Sequence, residues 1–312
     1  MPYMSGWTRA SGMSSTVSIP RSDFDEGVTL RRQSSLTIDA WRALRSSVSG
    51  RIGMLIVLLF IAVALFAPVL APYDPLEQDV YNRLQPPTRA HWLGTDELGR
   101  DVLSRVIAGA RISLSVGVVS VLIAMLFGGL VGLVAGTQLG FTDNFLMRFM
   151  DILLAFPSTL LAIAIVALRG PGLFNTLLAI SIIRIPHYAR LTRSTVLSVR
   201  EREYVTASRS VGARDRQIMF RHILPNSISP LLVQGTLGIS VAIVEAAGLG
   251  FLGLGAQPPT PEWGAMLSSS YIYLLRAPWA MFGPGVAIML SVLGFNLFGD
   301  ALRDALDPQM RR

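Results

Sequence analysis

Long apolar runs, separated by short charged or Pro/Gly-rich breaks, dominate the chain from Ile52 onward. A bilayer core of about 30 Å needs roughly 20 apolar residues per helix, and six runs approach that length. The first, Ile52 to Leu70, carries no charge. The second, Ile112 to Gly136, contains Gly117, Gly128, Gly129 and Gly132, small residues that let helices approach closely. The third, Phe145 to Leu168, contains Asp151 and Pro157. Its proline predicts a bend, with the Ser158 and Thr159 hydroxyls satisfying the freed carbonyl. The fourth, Leu173 to Tyr188, holds Arg184 near its end; the fifth, Ile228 to Leu252, surrounds Glu245; the sixth runs from Met281 to Phe298. An all-α integral membrane protein with six transmembrane helices is the expectation.

Composition agrees with this pattern. The 312 residues are 51% hydrophobic and 15% charged, with a mean hydropathy of +0.51, whereas a soluble domain carries about 25% charge. There is no cysteine, which excludes thiolate metal sites, disulfides and cysteine nucleophiles. The net charge is +7, all of the basic residues being arginine. With the N-terminus inside, segments 1–51, 137–148, 184–221 and 303–312 become cytoplasmic, which places 20 arginines inside and 7 outside. The positive-inside rule therefore puts both termini in the cytoplasm and accounts for the basic balance without nucleic acid.

About 50 residues precede the first span, too long a leader for a cleaved signal, so an uncleaved helix is expected. Residues 1–35 read as a mobile polar tail. From Leu36 to Val48, Ile38, Trp41, Leu44 and Val48 share one helical face, which reads as an interfacial helix or, more blandly, a solvated stub.

Most charged clusters outside the spans have a structural reading. Asp96, Glu97, Arg100, Asp101 and Arg105 fit an amphipathic helix on the outer surface with an Asp101–Arg105 ion pair four residues apart, or a contact surface for a substrate-delivering protein. Gln257 to Trp263 reads as a proline-stiffened external turn, with Trp263 near the outer interface, that either docks a binding protein or closes the path, a plain structural turn being the alternative; Asp300, Arg303, Asp304 and Asp307 suggest intrahelical pairing. Within the spans, Asp151 and Arg184 can reach the interface or each other. Glu245 is deepest, where a charge costs about 2.5 to 3.5 kcal/mol. It must be protonated, paired or facing a watery path. Glu245, with Ser158, Thr159 and Asp151, is the candidate lining of a translocation pathway, a buried structural hydrogen bond being the equal alternative for Glu245 and a structural role the first reading of Asp151.

The segment from Ser198 to Asn226 is too polar to span a bilayer and too regular for a spacer. Tyr204, Ala207, Ser208 and Val211 sit at helical spacing, Gly212 can end that helix in a left-handed conformation, and Asp215 can cap a following turn carrying Ile218, Met219 and Ile223. A short helix with small exposed residues suits a groove on a soluble partner. An ordinary cytoplasmic loop with solvated arginines is the bland alternative.

Thr206-Ala-Ser-x-x-x-Gly212 followed by Ile223-Leu-Pro225 resembles the EAA loop of ATP-binding-cassette importer permeases, with Thr206 in place of the family's glutamate and Ser208 in place of its second alanine. Arg200 to Tyr204 and Arg221 to Asn226, His91 to Ser113, Glu245 to Leu267 and Asp300 to Pro308 resemble the peptide and nickel branch of that family, in family order, over nearly all of residues 52–308. The resemblance implies the type I ABC importer permease fold in the plasma membrane. It divides the chain into a cytoplasmic tail with its interfacial helix (1–50), the first transmembrane helix (51–71), an external segment (72–111), a permease core (112–302) with the coupling loop at 198–226, and a cytoplasmic C-terminus (303–312). It further implies ATPase coupling through Tyr204, Val205, Thr206, Ala207, Ser208, Val211, Gly212, Ala213, Ile218, Leu224 and Pro225. The implied partners are a second permease, two ABC ATPase subunits, an external solute-binding protein and membrane lipids. No cofactor is expected on this chain, ATP and Mg being held by the ATPases, and no Gly-x-x-x-x-Gly-Lys-Ser/Thr loop occurs in it. The chain is then a transport permease rather than an enzyme, for di- or oligopeptides or else nickel complexes, glutathione or another small solute. An ion-coupled secondary transporter is the rival class, and neither His-Glu-x-x-His nor Gly-x-Ser-x-Gly supports an intramembrane hydrolase.

Overall fold

The computed structural model describes residues 47–306. Among them the regular elements are helical: α1 Val48–Leu70, α2 Val102–Gln138, α3 Gly140–Leu154, α4 Ser158–Arg169, α5 Leu173–Arg200, α6 Glu203–Ser210, α7 Asp215–Ile218, α8 Leu224–Phe251, α9 Trp263–Tyr271 and α10 Pro278–Leu306. A π-turn, Met219–Ile223, joins α7 to α8. The proposed interfacial helix and Asp307 lie outside the described residues.

Among the described residues, four helices are long and apolar enough to cross a membrane: α1, α2, the continuous Arg216–Phe251 stretch, and α10. The α3–α4 pair adds a fifth if it counts as one span. α5 is long enough at 28 residues, but Arg184, His187, Arg190 and Arg193 lower its apolarity. The exposed faces of α1 carry Leu55, Leu58, Leu65, Phe66 and Val69, a coat that is stable only against lipid or another apolar surface.

α2 is the central helix, packed against α5, α8 and α1. Its glycines explain how α5 comes so close. A Cβ on Gly128 would lie 2.6 Å from Ile185 O and 2.8 Å from Tyr188 Cβ, and one on Gly132 would meet Ala189 O. These glycines are four residues apart and form a groove for the α5 backbone, as expected of small residues at a membrane helix crossing. One apolar core joins α2, α4, α5 and α8, and a second joins α1, α2, α8, α9 and α10 around Trp263.

Several expectations change. The second span and the outer amphipathic stretch are one 37-residue helix. Asp101 caps it by accepting from Ser104 N at 2.8 Å, and nothing in Val102 to Ile112 breaks a helix. The third span is two helices whose axes diverge by 87°, because Pro157 has extended backbone (ψ 125°) and cannot donate into the preceding turn. The Ser158 and Thr159 hydroxyls are exposed and make no hydrogen bond among the described residues. Trp263 does not present its ring to lipid or water: it is fully buried, edge-on to Phe60, with its indole N–H donating to Val106 O at 3.0 Å.

Candidate functional site

At one end of the bundle, residues 200–226 form a bracket between α5 and α8. Arg202 immediately precedes α6, and its carbonyl accepts from Val205 N and Thr206 N. It ends where Gly212, at φ +85°, turns left-handed, with Gly212 N donating to Arg209 O and Ala213 N to Ser208 O. Such an end favours glycine. Space is not the reason, since a Cβ there would meet nothing within 4 Å.

The bracket has two faces. Val205 and Ile218 are buried with Val196, Val199 and Ile223, and half-buried Ala213 packs on the same cluster. Outward lie Thr206, Ala207 and Gly212, with Tyr204 and Val211 at 41% and 85% exposure. Half-buried Ser208 approaches His222 Nε2 at 3.3 Å, and the Tyr204 ring lies 5.6 Å from that imidazole. Leu224 and Pro225 open α8 directly from the π-turn, Leu224 N donating to Met219 O, and Pro225 has no N–H to add to that ladder. Arg200 Nη1 donates to Gly136 O at 2.7 Å and Thr137 O at 2.9 Å, tying the bracket to the carbonyl-rich end of α2.

Inside the bundle, Arg184 of α5 donates from Nε at 3.1 Å to one carboxylate oxygen of Glu245 on α8, and its Nη2 lies 3.0 Å from the same oxygen as an ion pair. Their side chains are 11% and 16% exposed. Glu245 is therefore paired, which answers the cost of placing a carboxylate there. Asp151 does not pair with Arg184; it takes Arg190 at 2.6 Å, at half-exposed positions. The reason is register: Arg184 faces α8, while Arg190 lies on an exposed side of α5. The four candidate pathway residues share no common hydrogen-bond network among the described residues.

At the opposite end, the expected Asp101–Arg105 pair does not form. Asp101 is occupied by capping and by His91 Nδ1 at 3.0 Å, so Arg105 turns to Asp96 at 3.4 Å and Pro75 O at 3.0 Å. Asp96 also holds Arg100, by its Nε at 2.7 Å and its backbone N–H at 3.0 Å. At the C-terminal end, Arg303 makes no ion pair with Asp300 or Asp304 among the described residues.

Two groups escaped the sequence reading. Asp143 receives a two-pronged bond from Arg193 at 2.6 and 2.7 Å, across 50 residues. Glu262 caps α9 by accepting from Gly264 N and Ala265 N, each at 2.8 Å, and from the Ser113 hydroxyl at 3.3 Å. Burial pushes its carboxyl above the usual range, against the pull of those donors. No local spacing signals either group.

The chain is similar to known proteins over most of its length. A family described as "Binding-protein-dependent transport system inner membrane component" matches residues 128–312, and "N-terminal TM domain of oligopeptide transport permease C" matches residues 35–87. The dipeptide transport system permease protein DppC of Alkalihalophilus pseudofirmus is 50% identical over 88% of this chain and 90% of its own. The di/tripeptide transport system permease protein DppC of Pseudomonas aeruginosa is 53% identical over 87% of this chain and 91% of its own. The glutathione transport system permease protein GsiD of Pectobacterium atrosepticum is 49% identical over 87% and 90%. A solved structure of the MetNI methionine ABC transporter in an inward-facing conformation shares the fold at a TM-score of 0.53 and 19% identity, over 64% of this chain and 96% of that one. With its apolar spans, its helical bundle and these matches, the chain belongs to the binding-protein-dependent transport system inner membrane component family and is a multi-pass inner-membrane ABC permease.

Proposed function

We propose that this chain is one permease of a heterodimeric, ATP-driven importer that passes di- or oligopeptides across the plasma membrane. It has six spans, α5 being the sixth despite its charges, with both termini and the 198–226 bracket in the cytoplasm and residues 72–111 outside. Two ATPase subunits hold ATP and Mg; a second permease completes the path, and an external solute-binding protein delivers the cargo. Tyr204, Thr206, Ala207, Ser208, Val211 and Gly212 meet the ATPase, while Val205, Ala213, Ile218, Leu224 and Pro225 transmit its motion to α5 and α8. Glu245 with Asp151, Ser158 and Thr159 lines the path.

The observation that carries this reading is the two-faced bracket: a small-residue helix exposed on one side, seated by a buried apolar cluster on the other, and joined at both ends to long helices. Nucleotide-driven movement of a partner at α6 then biases the bundle between two conformations, as any ligand with differential affinity does. Support for peptides comes from the dipeptide and di/tripeptide permeases among its relatives. Glutathione, itself a tripeptide, is the second reading, favoured by a 49% identical relative.

The test replaces Gly212 with valine. A β-branched residue at φ +85° pays at least about 1 to 2 kcal/mol for the left-handed backbone. Dipeptide uptake is expected to fall to background while the permease stays in the membrane. Normal uptake by Gly212→Val would remove the coupling assignment, and full uptake after ATP depletion would remove the ATP-driven reading.

A further inference from the structure

A cavity of about 760 Å³ opens beside the bracket, between the C-terminal end of α2, the start of α3 and residues 200–223. Arg200, Arg209 and Arg216 line it together with Thr137 and Thr142, while Met219, Phe220 and Ile223 make another part of its wall apolar.

The three guanidiniums differ from those further up α5. Arg184, Arg190 and Arg193 each have a carboxylate within 3.0 Å. Arg200, Arg209 and Arg216 form no ion pair among the described side chains. Arg200 is held by the two α2 carbonyls, and Arg216 lies 5.9 Å from the centroid of the Phe220 ring. Both contacts orient a guanidinium without neutralising it. Arginine does not lose its proton in proteins, so three positive charges line one cavity, two of them held in place and the third, Arg209, free to reach a ligand.

We propose that this cavity binds a phosphate group. Guanidinium forks match phosphate oxygens bidentately, and the mixed wall favours the phosphodiester headgroup of an anionic phospholipid whose first methylenes lie along Met219, Phe220 and Ile223. The position suits that ligand, because the cavity lies where α2 ends and α8 begins, and basic pockets between spans take anionic headgroups. Occupancy ties α6 to the end of α2 through Arg209 and Arg200. Lipid bound there stiffens the segment to which we assign coupling; the site itself does not depend on that assignment.

The test uses the intact complex with its partner subunits, reconstituted with phosphatidylglycerol or with phosphatidylcholine, and native mass spectrometry after delipidation. The wild type is expected to retain phosphatidylglycerol over phosphatidylcholine, and Arg209→Gln with Arg216→Gln to lose that retention about tenfold or more. The corresponding double lysine variant, which keeps the charge, retains an intermediate amount if the complex is intact. Inorganic phosphate is titrated in parallel by thermal shift. An arginine-dependent shift without lipid retention supports the phosphate site with a free anion as its source. Equal retention and equal shift in wild type and glutamine variant overturn the proposal, as does a wild-type complex that binds neither probe. Retention is read without transport, so its failure is separate from failure of the import reading.

Discussion

Replacing Gly128 with alanine tests the geometry at the centre of the bundle. The added methyl would sit 2.6 Å from Ile185 O, 2.8 Å from Tyr188 Cβ and 3.1 Å from Ala189 N, two of them backbone atoms of α5. Ordinary contact starts near 3.4 Å, so the helices must part locally by about 0.8 Å and forfeit part of the dispersion that holds them. Overpacking of this kind costs about 1 to 3 kcal/mol. Its neighbour is the control. At Gly129 the nearest atom is Leu231 Cδ2 at 3.3 Å, the end of a flexible side chain. Both changes gain the same helix propensity, about 0.5 to 1 kcal/mol, so it cancels in their difference. Detergent or urea unfolding of the two purified variants should therefore differ by about 1 to 3 kcal/mol, Gly128→Ala being the less stable. A Gly128→Ala protein as stable as Gly129→Ala would refute the close α2–α5 crossing.

Three further outcomes follow from the packing and the charges. Glu245→Leu leaves Arg184 without its carboxylate and should lower stability by about 3 kcal/mol, while adding Arg184→Met should recover most of the loss; additive losses in the double variant would contradict the pairing. Trp263→Ala empties a fully buried position and should cost about 3 to 5 kcal/mol in the same unfolding assay, whereas an interfacial tryptophan would cost far less. For Glu262, a carboxyl raised by burial binds its proton more tightly folded than unfolded. Its contribution is complete below the unfolded value near 4.5 and is lost as pH rises through the higher folded value. The thermal midpoint of Glu262→Gln should thus depend less on pH above 4.5 than that of the wild type; identical pH profiles would remove the assignment.

What the sequence made legible is mostly local. Ile52 to Leu70 lies within α1, Gly128 and Gly132 of α2 face α5 while Gly117 and Gly129 face α8, and Gly212 ends α6 left-handed, because each depends on a run, a spacing or a single backbone preference. The errors arise where distant residues compete for one partner. Asp101 and Arg105 are correctly spaced for a helical pair, yet His91, ten residues earlier, takes the carboxylate while Asp101 caps the helix. Asp151 and Arg184 both fall on charged positions of neighbouring helical stretches, but helix rotation gives Arg190 to one and Glu245 to the other. Trp263 followed the proline turn in sequence and the inter-helix core in space. The bracket itself was readable, but its division into buried Val205 and Ile218 against exposed Ala207 and Val211 needed the packing of α5 beneath it.

The most direct measurement exploits the absence of native cysteine. Val211, 85% exposed on the bracket, is changed to cysteine and the permease is co-expressed with its ATPase subunits. A membrane-impermeant maleimide should label it only after the membrane is opened, and a short bifunctional crosslinker should join it to an ATPase subunit. Labelling in intact cells, or a complete lack of that crosslink in an assembled complex, would contradict the account.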